Sequence, residues 1–412
     1  MPKTKSASPH RVAVVQHPPV LLHRDKTIKR GVTYLDEAAA GGAHLVSFPE
    51  TWLPGYPEWL WRLRPGDDYD LTAKIHGRLL ENAVDLKAGH LKPIQAAARR
   101  LKVTVSIGIH ERDSEFSRGT LYNTVVLIGP DGEVLNRHRK LMPTNPERMV
   151  WGIGDAQGLR VVETPAGRIG GPICWENYMP LARFSLFAQG CEVYVAPTWD
   201  AGSTWVSTMR HIAAEGRCWV LGNGTAMRGK DIPADFPDRA RLFPDLDDWF
   251  NPGDSVIVAP DGKVVAGPLH EKHGILFADC DPERASAAKR TLDVAGHYGR
   301  PDIFRLEVNR DSRSPVDFGV ARRAPDRNAP SVLASRPGQR GGAARRVGGL
   351  GGARCAVTGA AARISSAVGS RHRCAHSSDR RQPLVSGSGQ RAVAAAKRFS
   401  PDRRTGRISR GS

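Results

Sequence analysis

Short apolar runs alternate with helical patterns over the first 310 residues of the 412-residue chain. The apolar run at residues 12–15 predicts a buried strand. A helix ending at Gly41 is predicted next, because apolar side chains recur at helical spacing at Ile28, Val32, Leu35 and Ala39. Residues 44–50 predict a second buried strand, whose polar end emerges at a Pro-Glu step. At residues 103–109 apolar and small residues alternate, which predicts a third strand.

Two copies of a Pro-Asp-Gly turn predict β-hairpins among these units. Residues 122–128 and 133–135 flank the first turn, and residues 256–265 repeat the same strand, turn and strand. Further strands are predicted at residues 168–174, 192–197, 218–222 and 275–279, and further helices at residues 91–101, 181–188 and 206–215. Hairpins mixed with βα units favour an α/β body with a mixed β-sheet over a purely parallel one.

The composition of the chain changes at about residue 311. Residues 311–412 contain 21 Lys and Arg against 5 Asp and no Glu, so they carry most of the net charge of +18. All nine Trp and all seven Tyr lie before them. Such a segment buries too little apolar surface to offset its chain entropy. We therefore predict a flexible N-terminus at residues 1–11, one domain at residues 12–310, and a disordered basic tail rich in Arg, Gly and Ala at residues 311–412.

The basic tail allows two further interpretations. Its bias toward Arg, Ala, Gly and Pro with a single Lys is typical of GC-rich DNA read in an unintended frame, a hypothesis that sequencing codons 305–330 tests. Its arginines also suggest electrostatic attachment to nucleic acid. Because no aromatic residues are interleaved with them and no binding module is present, we do not expect a nucleic-acid partner.

The cysteines and the N-terminal residues indicate the compartment. Six cysteines stand without CxxC pairs or regular spacing, which fits neither a disulfide framework nor a zinc ribbon. The polar residues 1–11 lack the apolar core of a signal peptide, and no stretch approaches the length of a membrane span. These features predict a cytoplasmic protein without a membrane segment.

A candidate nucleophile lies between a predicted strand and a predicted helix. The predicted strand at residues 168–174 ends at Cys174, and a helix is expected to begin near Pro180. A thiol on such a turn is accessible and lies near backbone N–H groups that can hold a developing anion. The alternative is a buried structural cysteine. The flanking Gly170 and Gly171 and the charged Glu176 argue against simple burial.

The thiol needs a nearby base or cation in order to attack at neutral pH. His138 lies at a strand end, but two stronger candidates are present in similar settings. Glu50 follows the second predicted strand, and Lys140 lies in His138-Arg-Lys140. Taken alone, Lys140 is also readable as a solvated surface lysine and Glu50 as a helix-cap carboxylate.

These residues resemble the nitrilase superfamily, whose hallmark is a Glu, Lys, Cys triad in that chain order. Phe48-Pro-Glu50, His138-Arg-Lys140 and Cys174-Trp-Glu-Asn177 match its three motifs, and the residues after Cys174 look like those of the true nitrilase branch. The resemblance covers residues 12–310. One departure is Pro172, which removes a strand N–H two residues before the nucleophile.

The resemblance implies a fold, an assembly and a fourth site residue. It implies a four-layer αββα sandwich formed when two subunits pack together, and a homodimer that assembles into larger spiral oligomers. It also implies that Glu147 orients Lys140, whereas from the residues alone Glu147 is equally readable as a surface ion pair. Four aromatic residues near the motifs are candidates for the substrate pocket, although each is also a candidate for the core: Tyr56, Trp59, Trp175 and Trp199.

The activity implied is hydrolysis of an organic nitrile to the carboxylic acid and ammonia. It proceeds through a cysteine thioimidate and an acyl thioester, with no metal and no cofactor. The alternatives within the superfamily are a cyanide hydratase or dihydratase and an amidase. The motifs leave open the choice among aliphatic, aromatic, arylacetonitrile and cyanide substrates, because that choice depends on pocket shape.

Overall fold

In the described part of the chain, thirteen strands form two central sheets. A computed structural model describes residues 10–64 and 66–316. The strands are β1 (His10–Gln16), β2 (Leu45–Ser47), β3 (Thr104–Arg112), β4 (Leu121–Ile128), β5 (Val134–Arg139), β6 (Val162–Thr164), β7 (Gly167–Gly170), β8 (Val193–Thr198), β9 (Trp219–Gly224), β10 (Ala226–Met227), β11 (Asn251–Val258), β12 (Val264–His270) and β13 (Gly274–Cys280). The first sheet has the order β13-β1-β2-β3-β4-β5. The second has the order β10-β11-β9-β8-β7-β6, with β12 paired to β11.

Both sheets are mixed, as the sequence predicts. In the first sheet β1, β2 and β3 run parallel, whereas β4, β5 and β13 are antiparallel to their neighbours. In the second sheet β7, β8 and β9 run parallel, and β11 is antiparallel to β9. The two Pro-Asp-Gly turns connect β4 to β5 and β11 to β12. Their last glycines, Gly132 and Gly262, have φ of +82° and +83°, a conformation that glycine adopts without a steric penalty.

Seven helices accompany these strands. They are α1 (Arg24–Ala40), α2 (Tyr69–Asn82), α3 (Lys92–Leu101), α4 (Pro180–Phe187), α5 (Ser203–Gly216), α6 (Arg239–Leu242) and α7 (Pro282–Ala288). Helices α1, α3, α4 and α5 confirm the sequence prediction, and α2, α6 and α7 were not predicted. Within the described part of the chain, no helix is long and apolar enough to cross a membrane.

The layers follow from the alternation of side chains along the strands. On β1, Ala13 and Val15 face a cluster that includes residues of α1 and α3. Val12 and Val14 point to the other face, into a cluster shared with strands of the second sheet. Residues of α4 and α5 cover the outer face of that second sheet. All four layers of the αββα sandwich therefore belong to one chain. The expectation that a second subunit is needed to form them was wrong.

Two boundaries differ from the sequence prediction. Strand β1 begins at His10, because His10 and Arg11 pair with β13, so these two residues of the segment predicted to be flexible belong to the sheet. Residues 1–9 lie outside the described part of the chain, as does the predicted disordered tail from residue 317 onward. Strand β7 ends at Gly170 and does not reach Cys174. At the next position a Cβ would lie 1.8 Å from the Val195 oxygen, so Gly171 is tightly packed, and Pro172 lacks the N–H for a ladder bond.

Candidate active site

The three predicted motifs meet where strands of both sheets end. Glu50 follows β2, Lys140 follows β5 directly, and Cys174 begins a 3-10 turn, Cys174–Tyr178, after β7. Packing of the Glu50 segment against β3 requires a glycine, because a Cβ on Gly108 would lie 2.2 Å from the Pro49 oxygen. The fold thus brings together side chains that are 90 and 34 residues apart in the sequence.

Lys140 is held between two carboxylates. Its Nζ donates to Glu50 Oε1 at 2.7 Å and to Glu147 Oε2 at 2.8 Å. The Lys140 and Glu50 side chains are fully buried. Burial opposes the ammonium form, but Glu50 and then Glu147 hold the pKa of Lys140 above its ordinary value. The solvated surface lysine considered from the sequence is excluded, and Lys140 is a fixed cation.

Glu147 occupies the first turn of the 3-10 segment Asn145–Met149. Its Oε2 also accepts from the Thr144 N–H at 2.7 Å, which forms half of a capping box. Its Oε1 accepts from the Tyr56 hydroxyl at 2.8 Å. Burial and the neighbouring Glu50 raise the pKa of Glu147, and Lys140 opposes them. Glu147 is 2 % exposed, so it is not the surface ion pair considered above.

Two further donors fix the Glu50 carboxylate. Asn123 Nδ2 donates to Oε1 at 2.7 Å, and the backbone N–H of Trp199 donates to Oε2 at 2.7 Å. Neither donor was predicted. Asn123 lies on β4, whose backbone oxygen at this residue also accepts from the Lys140 N–H at 2.7 Å. Asn123 thereby fixes the position of both the Glu50 carboxylate and the Lys140 backbone.

Cys174 is 4 % exposed and has φ of +53°, a left-handed conformation that is uncommon outside glycine. The Asn177 amide donates to the Cys174 carbonyl at 2.7 Å and holds the turn. Burial raises the pKa of the Cys174 thiol, Glu50 raises it further, and Lys140 lowers it. The thiol is therefore protonated at neutral pH in the free protein.

The Glu176 carboxylate holds the 3-10 turn Cys174–Tyr178 in place through hydrogen bonds. Its carboxylate accepts from the backbone N–H groups of Ile173 at 2.6 Å and Leu141 at 2.7 Å, and it lies 3.1 Å from His138 Nε2. Burial opposes its ionisation, but His138 and the two backbone donors lower the pKa of Glu176. One carboxylate thus joins the segment before Cys174 to the segment after Lys140. This function of Glu176 and His138 was not predicted.

A cavity of about 280 Å³ opens onto Cys174 and Glu147. Tyr56, Trp175 and Trp199, three of the four aromatic candidates named from the sequence, line it. The lining also includes residues that the sequence did not single out: Trp61, Thr144, Asp200, Ala201, Phe250, Asn251 and Pro252. The Tyr56 and Trp199 rings stack with centroids 4.4 Å apart and planes 6° apart.

Trp59, the fourth aromatic candidate named from the sequence, is not among the residues that line this cavity. Trp59 is 1 % exposed and packs against Phe236 in the apolar core. Trp61, which is 49 % exposed, takes the position at the cavity instead. The cause is the 3-10 turn Glu58–Trp61, in which side chains two positions apart point in different directions. At the mouth of the cavity, Trp175 Nε1 donates to Asp200 Oδ2 at 3.0 Å.

The arrangement supports nucleophilic chemistry at an unsaturated carbon. It combines a protonated thiol, a carboxylate able to take its proton, and a fixed ammonium beside them. Cys174 begins a 3-10 turn, and the first N–H groups of such a turn have no partner within it, so they are donors of the kind that forms an oxyanion hole.

The chain is similar to several known proteins. The family model described as carbon-nitrogen hydrolase matches residues 11–290. An aliphatic nitrilase of Sinorhizobium fredii is 39 % identical over 307 residues, covering 74 % of this chain and 97 % of that protein. A bifunctional nitrilase/nitrile hydratase of Lupinus angustifolius is 38 % identical over 325 residues, covering 76 % and 89 %. The crystal structure of a carbon-nitrogen hydrolase from Helicobacter pylori shares the fold, with a TM-score of 0.54, 20 % identity and coverage of 73 % and 98 %.

Proposed function

Since the chain belongs to the carbon-nitrogen hydrolase family, in its nitrilase branch, we propose that it hydrolyses an organic nitrile to the carboxylic acid and ammonia. The observation that carries the proposal is the Glu50, Lys140, Glu147 cluster beside the Cys174 thiol at the base of one cavity. The identity to named nitrilases over most of their length supports the choice of a nitrile as substrate.

The first chemical step forms a bond between Cys174 Sγ and the nitrile carbon. Glu50 accepts the thiol proton as sulfur attacks, and the proton then passes to the nitrile nitrogen, giving a neutral thioimidate. Lys140 and the Trp175 N–H stabilise the negative charge that develops on nitrogen. Glu147 and Tyr56 act through Lys140, because they hold its ammonium in place.

Two water molecules complete the reaction. Glu50 takes a proton from the first water as it adds to the thioimidate carbon and returns it to the nitrogen, which gives a tetrahedral intermediate with a hydroxyl and an amino group. The hydroxyl proton then passes to the amino nitrogen through Glu50, the carbonyl forms, and ammonia leaves. The acyl thioester that remains is attacked by the second water. Cys174 leaves with a proton from Glu50, and the carboxylic acid is released.

A second outcome is open at the tetrahedral intermediate. If the thiol leaves instead of ammonia, the product is the amide. The Lupinus angustifolius relative, which is named for both activities, is the observation that favours testing for this branch. An amidase reaction enters the same path at this tetrahedral intermediate, which forms directly when the thiol adds to the carbonyl carbon of an amide.

The direct test is product analysis with a matched pair of cysteine variants. Purified protein is incubated with aliphatic, aromatic and arylacetonitriles, cyanide and the corresponding amides, and ammonia, acid and amide are measured. Cys174→Ala abolishes turnover, whereas Cys191→Ala, at a buried cysteine in the core cluster under α4 and α5, retains it. Amide without acid assigns a hydratase, and turnover of amides alone assigns an amidase. Ammonia and acid that persist in Cys174→Ala would contradict the proposed nucleophile.

We also propose that the protein assembles as a homodimer that extends into spiral oligomers. Apolar side chains near the active-site turn support a contact surface, because Tyr178, Met179 and Leu181 are 39 %, 39 % and 66 % exposed in the single chain. Light scattering of the purified protein gives its mass in solution, and electron microscopy of the same sample distinguishes spirals from closed dimers.

A further inference from the structure

Glu58 is a partly buried carboxylate that the proposed mechanism does not use. It begins the 3-10 turn Glu58–Trp61, and its side chain is 13 % exposed. Its Oε2 accepts from Trp199 Nε1 at 3.1 Å, and its Oε1 lies 3.4 Å from Arg62 Nε. Glu58 therefore contacts Trp199, a residue of the cavity wall.

Trp199 is held at every polar atom. Its backbone N–H donates to the Glu50 carboxylate, and its carbonyl accepts from Asn251 Nδ2 at 2.6 Å. Its ring stacks on Tyr56, whose hydroxyl binds Glu147. The one remaining polar atom is the indole nitrogen, and Glu58 is its partner. The orientation of the indole is thus coupled to groups around the reacting thiol.

Arg62 extends this connection to the next aromatic residue of the wall. Its guanidinium lies 4.7 Å from the Phe243 ring centroid and 5.4 Å from that of Phe250, and it donates to the Leu242 carbonyl at 3.0 Å. Phe250 in turn lies 6.3 Å from the Trp199 ring and lines the cavity. The Glu58–Arg62 pair supports two aromatic side chains of one wall.

We propose that Glu58 is a positioning residue that fixes the Trp199 indole as a flat wall of the substrate cavity, and thereby sets a preference for aromatic over small aliphatic nitriles. This inference rests on the proposed function. A wall fixed before binding favours a rigid aromatic ligand, because the side-chain entropy of the indole is already lost. A short aliphatic nitrile covers little of that wall and gains little from it.

Because Glu58 changes its charge with pH, the preference for aromatic nitriles should depend on pH. Burial raises the pKa of Glu58 to about 7, with Arg62 and the Trp199 hydrogen bond opposing and Asp248 adding to the rise. Arg62 and Asp248 are the charged groups that face it. A hydrogen bond to a carboxylate is roughly twice as strong as one to a neutral acceptor. The anchor is therefore stronger above pH 7 than below, and the aromatic preference should rise from pH 6 to pH 8.

The experiment compares wild type, Glu58→Ala and Glu58→Gln, with Glu133→Ala as a matched control at an exposed glutamate. The ratio of kcat/KM for benzonitrile to that for propanenitrile is measured at pH 6 and pH 8. We expect Glu58→Ala to lower this ratio at least fivefold at pH 8 through a higher benzonitrile KM, with kcat for propanenitrile within twofold. Glu58→Gln keeps a neutral acceptor, so it retains part of the ratio but loses its pH dependence. Glu133→Ala leaves both unchanged.

A second measurement does not depend on nitrile hydrolysis. Alkylation of Cys174 by 2-iodo-N-phenylacetamide and by iodoacetamide is followed by intact mass. The rate with the aromatic reagent divided by the rate with iodoacetamide should be lower in Glu58→Ala than in wild type. A wild type that hydrolyses no nitrile defeats the proposed function, and the alkylation ratio alone then decides this inference. Equal ratios in wild type and Glu58→Ala, or a benzonitrile preference in wild type that does not change with pH, would overturn it.

Discussion

Replacing Tyr56 by Phe tests whether Glu147 acts by holding Lys140. The substitution keeps the ring that stacks on Trp199 and removes only the hydroxyl, which donates to Glu147 Oε1 at 2.8 Å. Within the described part of the chain, no other hydrogen bond reaches that oxygen. A hydrogen bond to a charged group contributes about 1.5–3 kcal/mol. If the loss appears in full in the transition state, kcat/KM falls about 10- to 150-fold.

The pH profile separates this explanation from simple loss of packing. The Tyr56 hydroxyl stabilises the ionised form of Glu147, so without it the pKa of Glu147 rises further above its ordinary value. The acid limb of kcat/KM should then move to higher pH in Tyr56→Phe. Tyr69→Phe is the matched control, because Tyr69 is 73 % exposed at the start of α2. A Tyr56→Phe enzyme with activity within twofold of wild type and the same acid limb would refute the reasoning.

Three further predictions concern the supports of the site. Lys140→Met leaves two buried carboxylates without their cation, so chemical denaturation should show a loss of about 3–5 kcal/mol along with the loss of activity. Glu176→Gln should lower the melting temperature at pH 7, and the difference from wild type should shrink as the pH falls below about 4.5. The ordinary pKa of a glutamate is about 4.5, and the folded-state pKa of Glu176 lies below it. The stabilisation by ionised Glu176 is therefore complete above about pH 4.5 and is lost as the pH falls through the folded-state pKa. Gly108→Ala should lower kcat/KM at least about tenfold, because its Cβ would displace the Glu50 backbone. Gly77→Ala, whose Cβ meets no atom within 4 Å, should leave kcat/KM unchanged.

The sequence was most informative where polar residues end apolar strands. Glu50 and Lys140 were selected because each follows a predicted strand, and the ends of neighbouring strands meet at one edge of a sheet. Both strands proved to lie in the first sheet, and the two side chains bind each other. Cys174 was selected on a strand that ends four residues earlier than expected. The flanking glycines indicate the turn on which Cys174 lies, and the catalytic role of Cys174 stays a prediction.

The sequence was least informative where function depends on backbone or on local rotation. The N–H of Trp199 binds Glu50, and no side-chain pattern reports a backbone donor. Trp59 and Trp61 are chemically equivalent in the sequence, and only the geometry of their 3-10 turn places one in the core and the other at the cavity. The two-sheet arrangement within one chain was missed because the pattern of apolar residues shows which faces of a strand are buried but not which element covers each face.

The charges of the site explain why the thiol remains protonated until a substrate is present. Glu50 and Glu147 together carry two negative charges against the single positive charge of Lys140, and all three are buried. Ionised Cys174 would add a third anion beside one cation, and burial of an uncompensated charge is costly. Loss of the thiol proton is therefore favourable only when sulfur bonds to carbon in the same step. In the proposed mechanism, attack on the nitrile moves the negative charge from sulfur to nitrogen, where the proton held by Glu50 neutralises it. The cation and the two carboxylates thus keep the reacting proton within the site instead of releasing it to solvent.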